Sequence, residues 1–221
     1  MYSAHSNPAT FVTLKKKRRH CMTAQTSSLM LLMSFAAGTF SAGASNNPQH
    51  LMFASPSAGV PNNPLPLIIW PRVVPEDEEN IATWFEENFE KNGWPPDWRD
   101  QLFPYMHYHP NTHELLGVAE GWAEVLFGGD SGRMITLRAG DAVLIPAGVG
   151  HRQVSASEDF LAVGAYPEGL KPEILRDEIG QLKLSQEKVK KVPLPKRDPF
   201  TGKAGAMTEI WTPVAAMMHN P

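Results

Sequence analysis

The sequence predicts an all-β fold. Three observations carry that expectation. Twenty prolines and seventeen glycines in 221 residues supply turn formers along the chain. Between residues 102 and 166, short apolar segments of strand length recur, separated every several residues by Gly, Pro, Asp or Ser. No internal repeat is visible, so these strands belong to one sandwich or small barrel.

Residues 1–50 read as an N-terminal extension, a targeting segment or a disordered tail. The first 75 residues contain no Asp or Glu. Lys15–Arg19 is a basic cluster, Leu29–Phe40 an apolar run, and Ala42-Gly-Ala44 resembles a small-residue cleavage site. This order suits a secretory signal, and the acid-free stretch also suits an organellar transit peptide. A disordered tail, with translation starting at Met22, and a nuclear signal at Lys15–Arg19 are the other readings. The localisation follows from the choice: cytoplasmic without a signal, secreted or organellar with one. The apolar run is shorter than the roughly 20 residues of a membrane span.

Residues 51–100 read as an arm carrying one strand and one helix. Gly59–Pro66 is punctuated by proline and extended. Leu67–Trp70 is a short strand, and Pro71 marks it as an edge strand. Glu76–Glu79 loads the start of a helix opening at Pro75, which suits the helix dipole. Ile81, Trp84, Phe85 and Phe89 recur at helical spacing and form a core stripe, and Asn92-Gly93 stops the helix.

Residues 101–170 carry the barrel. Leu102–His109, Glu114–Glu120, Trp122–Phe127, Met134–Leu137, Ala142–Ile145, His151–Ser155 and Phe160–Tyr166 read as strands. Phe103, Tyr105, Trp122, Leu126, Ile145, Val163 and Tyr166 are candidates to line its interior. Residues 171–221 read as a helix and an arm. Pro172 opens a helix with Leu175, Ile179 and Leu182 on one face. Val192–Trp211 is a turn-rich surface segment anchored by Trp211, and the last residues are frayed.

Net charge is −3, with no dominant basic stretch in the main domain, which argues against nucleic acid as a partner. The single cysteine, Cys21, excludes an intrachain disulfide and a cysteine-ligated core metal site. The chemistry lies in His107-Tyr-His109-Pro-Asn-Thr-His113-Glu114 and in Gly140-x5-Pro146-x-Gly148-x2-His151. Residues i and i+2 of a strand share a face, so His107 and His109 can reach one ion. Tyr108 faces the other side. His151 can complete the site if the chain folds back. Imidazoles with a carboxylate suit a first-row transition ion.

These residues resemble the cupin superfamily. Its first motif, G-x5-H-x-H-x3–4-E-x6-G, aligns with His107, His109, Glu114 and Gly121, with Gln101 at the first glycine. Its second, G-x5-P-x-G-x2-H-x3-N, aligns with Gly140, Pro146, Gly148 and His151, with Ser155 at the final Asn. A closer resemblance, to the YjlB-like group of small single-domain cupins, runs from residue 59 to Trp211. It is carried by Gly59–Leu67, Asn92-Gly-Trp94, His107–Gly117, Gly148-Val-Gly-His151, Val163–Pro167 and Val192–Pro195.

The resemblance implies a single jelly-roll cupin barrel, here with an N-terminal helix and a C-terminal arm. It also implies one divalent metal held by His107, His109, Glu114 and His151. The spacing to Gly121 favours Glu114 over its neighbour His113 as ligand; His113 is then a structural residue or a catalytic proton carrier. Four protein ligands leave two positions on an octahedral ion, which suits Fe, Mn or Ni, with Zn allowed. The expected function is a metal-dependent oxidoreductase, dioxygenase-like, acting on a small-molecule substrate. The alternatives are a non-catalytic metal or small-molecule binding module and a metal-dependent isomerase or decarboxylase. A homodimer is allowed.

Overall fold

The structure, a computed structural model, describes residues 40–41 and 47–219, which form two stacked sheets, three α-helices and their connections. The strands are β1 Phe40–Ser41, β2 Gln49–Phe53, β3 Asn63–Trp70, β4 Pro96–Asp100, β5 His107–Tyr108 and β6 Glu114–Glu120. They continue with β7 Trp122–Phe127, β8 Arg133–Arg138, β9 Ala142–Ile145, β10 His151–Ala156, β11 Leu161–Ala165 and β12 Leu175–Arg176. The helices are α1 Ile81–Lys91, α2 Leu182–Val189 and α3 Ala206–His219. One sheet runs β1-β8-β7-β10-β5-β12, the other β2-β3-β9-β6-β11-β4. Apart from the parallel β1–β8 pair the ladders are antiparallel, as in a jelly roll.

Alternation along the strands divides the apolar side chains into two layers. Leu67 and Ile69 of β3, Leu116 and Val118 of β6, and Val143 and Ile145 of β9 pack between the sheets against Val125 and Phe127 of β7. Their neighbours Ile68, Trp70, Leu115 and Leu144 face outward, under Phe85 and Phe89 of α1 and Trp211 of α3. The second sheet is therefore buried on both faces. That is why its strands read as continuous apolar runs rather than alternating ones.

Several elements differ from the sequence expectations. Strands β1 and β2 begin at Phe40 and Gln49, inside the stretch read as extension. β3 is not an edge strand, because β2 and β9 flank it. Pro71 lies just past its end, and β9 pairs only with Ile68–Trp70, beyond Pro64 and Pro66. Helix α1 opens at Ile81 rather than Pro75, since Asn80 caps it by accepting the Thr83 N–H at 3.1 Å. The acidic run precedes the helix. Of Leu102–His109 only His107–Tyr108 is strand, and Pro96–Asp100 is a strand instead.

The helix expected from Pro172 starts at Leu182; Leu175 is in β12 and Ile179 is exposed. Helix α3, Ala206–His219, takes up the end of the segment read as turn-rich and the residues after it read as frayed, while Asn220 and Pro221 lie outside the described residues. Trp211 anchors it through the buried apolar layer and a 2.8 Å hydrogen bond from its indole N–H to the Pro66 carbonyl. The expectations for Lys15–Arg19, Cys21, Met22, Leu29–Thr39 and Ala42–Ala44 lie outside the described residues. Among the described residues, no helix is long and apolar enough to cross a membrane.

Candidate metal centre

Three histidines and a glutamate line one end of a cavity of about 240 Å³. Register brings them there. On the antiparallel β5–β10 pair, His151 lies opposite His107, with ring centroids 4.1 Å apart. His109 follows His107 on the same side. Tyr108 between them turns away and places its hydroxyl 2.8 Å from Ser185 Oγ on α2. Glu114 opens β6 opposite Ile145, on the inward face shared with Leu116 and Val118. The N–H of Gly148 donates to the His109 carbonyl at 2.8 Å and so ties the two histidine stretches together. Gly148 has φ +83, which a residue with a Cβ would hold only with strain.

Hydrogen bonds set the tautomers. Nδ1 of His107 lies 3.1 Å from the Tyr105 carbonyl, that of His109 2.8 Å from the Glu173 carbonyl, and that of His151 3.2 Å from the Val149 carbonyl. A carbonyl only accepts, so each Nδ1 carries the proton and each neutral ring presents a bare Nε2. One ligand atom from each of the three rings fits within 4.8 Å of the others. Glu114 Oε2 sits 3.2 Å from His109 Nε2 and 3.0 Å from His151 Nε2. His109 Nε2 and Glu114 Oε2 are buried without a hydrogen-bond partner. Lone pairs facing one another at this range repel unless a cation lies among them, and this donor set fits a divalent transition ion.

The electrostatics agree. Burial pushes the His107 imidazole down to about 3, and neighbouring His151 adds to the effect. Burial would raise the Glu114 carboxyl, but His109 and His151 outweigh it and hold the group well below the usual carboxylate range. Burial also disfavours the His109 cation, yet Glu114 outweighs it and raises that pKa. The buried carboxylate thus demands positive charge, which either a proton on His109 or a metal ion can supply.

A polar chain orients Glu114. The Trp98 indole N–H donates to the Tyr166 hydroxyl at 3.1 Å, and that hydroxyl donates to Glu114 Oε1 at 2.8 Å. Burial, and then Glu114, raise the Tyr166 pKa far above its ordinary value, so it stays a neutral donor. Gly164 makes the chain fit. A Cβ there would lie 2.0 Å from an indole carbon of Trp98, which pairs with Gly164 across β4 and β11. Removing the Tyr166 hydroxyl, as in Tyr166→Phe, is expected to weaken metal affinity by about 10–100-fold. Titration against a competing chelator would measure this; unchanged affinity would remove Tyr166 from the site.

Asn111 has a similar supporting role. It donates to the Lys171 carbonyl at 2.9 Å and accepts the Glu173 N–H at 2.8 Å, fixing the segment whose Glu173 carbonyl orients His109. Sequence reasoning named Tyr166 only as a lining residue and missed Trp98 and Asn111. Tyr166 and Asn111 lie within the Val163–Pro167 and His107–Gly117 runs, whereas Trp98 lies in neither.

His113 lies elsewhere. It is fully buried on the outer side of β6. Its Nδ1 accepts the Ala147 N–H at 3.0 Å, Nε2 lies 3.3 Å from the Pro193 carbonyl, and its ring packs 4.8 Å from Trp211. Burial lowers its pKa to about 4. Both ring nitrogens are engaged and neither faces the cavity. This geometry gives the expected proton-carrier role no support and makes His113 a tie between the β6 and β9 region and the C-terminal strap. Of the residues expected to line the barrel interior, Phe103 and Tyr166 border the cavity and Ile145 packs between the sheets, whereas Val163 lies in the outer layer. Ser155 donates to Glu124 at 2.7 Å, away from the site.

Comparison with known proteins follows these residues. Among solved structures, procruciferin, an 11S globulin from Brassica napus, is 21% identical, with 35% of this chain and 21% of that one covered and a TM-score of 0.30. An oxalate decarboxylase from Bacillus subtilis is 16% identical, with 50% of this chain and 22% of that one covered and a TM-score of 0.28. The chain thus spans about a fifth of the length of each. A DUF861 family protein from Thermotoga maritima is 23% identical, with 39% and 92% covered and a TM-score of 0.28. A family model described as a cupin domain matches residues 99–163, which include His107, His109, Glu114 and His151. The uncharacterized protein YjlB of Bacillus subtilis is 38% identical over 155 residues, 69% of this chain and 90% of that protein. With that identity across nearly the whole relative, and the cupin-domain match over the histidine strands, the chain belongs to the cupin family, in its YjlB-like group.

Proposed function

We propose that this cupin is a metal-dependent oxidoreductase of the dioxygenase type, acting on a small organic molecule. His107, His109, Glu114 and His151 would hold one divalent ion: Fe, Mn or Ni, with Zn allowed. The observation that carries the proposal is the pair of buried, unpartnered atoms, His109 Nε2 and Glu114 Oε2, at the end of a cavity lined by the other two imidazoles. When bound, such an ion supplies Lewis acidity and, for Fe or Mn, one-electron chemistry with dioxygen.

The chain's own groups do the rest. Carbonyls at Tyr105, Glu173 and Val149 hold the three Nδ1 protons in place. Tyr166 donates its hydroxyl proton to the outer oxygen of Glu114 and leaves the inner one bare. Leu102, Trp98 and Pro172 wall the cavity and limit water around a bound molecule. The test is elemental analysis of the purified chain, followed by oxygen-electrode assays of Fe- and Mn-loaded protein with small acids, diketones and phenols. We expect one equivalent of metal and consumption with at least one class. Stoichiometric metal with silence throughout would favour a binding module, and turnover without oxygen uptake an isomerase or decarboxylase.

A further inference from the structure

The cavity beside the metal cluster also carries information about what it admits. We propose that it selects a neutral or cationic single-ring molecule with adjacent oxygen donors and rejects small carboxylate anions. This rests on the metal reading above.

Size comes first. An apolar cavity of about 150 Å³ accepts benzene. The 240 Å³ here therefore suits one substituted ring rather than a cofactor-sized ligand. The walls are apolar: Trp98, Leu102, Phe103, Pro172 and Ile174. Phe103 and Ile174 remain 40% and 47% exposed at its mouth, where a bound ring would cover them. Phe103 is stacked on Tyr105 at 4.8 Å, which holds it at that position.

Charge decides the class. No Lys or Arg lines the cavity, whereas Asp97, Asp100 and Glu114 do. The nearby cations are spoken for. Lys171 pairs with Asp97, Arg99 with Glu86, and the Arg176 guanidinium lies 3.4 Å over the Tyr105 ring. A divalent ion with Glu114 carries a formal +1, and Asp100 at the mouth offsets it. A carboxylate entering would lose hydration and meet Asp100 with no basic side chain to receive it. A neutral or cationic ring escapes that penalty and still offers oxygens to an ion held among the buried, unpartnered Glu114 Oε2 and His109 Nε2. The built end of the cavity, not the acidic rim alone, makes this a binding site.

Three catechols of similar size and different charge test it: dopamine, 4-methylcatechol and 3,4-dihydroxybenzoate. Each is titrated calorimetrically under nitrogen into Ni-loaded protein whose metal content has been measured. Dopamine and 4-methylcatechol should bind at least about tenfold tighter than the benzoate. Asp100→Asn should narrow the gap between dopamine and the benzoate, with metal content unchanged. Equal or tighter benzoate binding, a gap unmoved by Asp100→Asn, or no binding by any of the three would overturn the selectivity while leaving the metal reading standing. Protein that takes up no nickel, iron or manganese would sink both.

Discussion

On the proposed ligand set, His151→Ala is expected to purify folded and to bind no divalent ion. His151 contributes one of three convergent imidazoles, and its Nε2 lies 3.0 Å from Glu114 Oε2. The backbone should tolerate the change. β10 keeps its ladder to β7 through Arg152, Gln153, Ser155 and Ala156. The discriminating measurement is thermal unfolding with and without metal. A ligand that binds only the folded state stabilises by about 4 kcal/mol at a thousandfold excess over Kd. The wild type should show a stabilisation of that order in Mn or Ni, and His151→Ala and His109→Ala should show almost none. If both variants keep stoichiometric metal, the ligand set is misassigned.

What the sequence could and could not disclose follows from burial. The histidine pair was readable because i, i+2 parity holds along a strand. His107 and His109 do share a side, with Tyr108 turned towards α2. The second stretch was readable because a Pro-x-Gly turn leads directly into His151. Strand parity could not choose between His113 and Glu114, because Pro110 breaks the strand after His109; only the spacing to Gly121 favours Glu114. Counting backward along β6 would not have helped. Leu116 and Val118 face the inner core while Leu115 packs under the helices, so both faces of that strand are apolar.

The same two-sided burial hid the interior position of β3. Pro71 directly after Leu67–Trp70 reads as an edge signal, and only pairing with both β2 and β9 shows otherwise. The C-terminal helix escaped for a different reason: Pro213 lies within it, and its stability comes from docking Trp211 and Met207 on the sheet rather than from local propensity. Trp98 was missed because its role depends on Gly164, 66 positions away, leaving room for the indole.

His113→Ala should have the opposite signature to His151→Ala: large loss of stability, little loss of metal. Truncation leaves the Ala147 N–H buried without its acceptor and removes the ring beside the Pro193 carbonyl. It also opens a void beside Trp211, itself only 1% exposed. An unpaired buried backbone group costs about 1–3 kcal/mol, and loss of a buried ring adds a cavity term, so about 3–5 kcal/mol is expected. In a chain of this length that lowers Tm by roughly 10 °C. The strap held at Pro193 and helix α3 should loosen first, visible as faster amide exchange around Trp211 than in the β6–β9 ladder. Metal bound per folded chain should stay near that of the wild type, since Glu114 is fixed independently by Tyr166 and by its place opposite Ile145. Glu114→Ala, by contrast, should lose metal and keep α3 docked. If His113→Ala instead lost metal as completely as Glu114→Ala while its unfolding temperature held, the two neighbours would have to exchange roles.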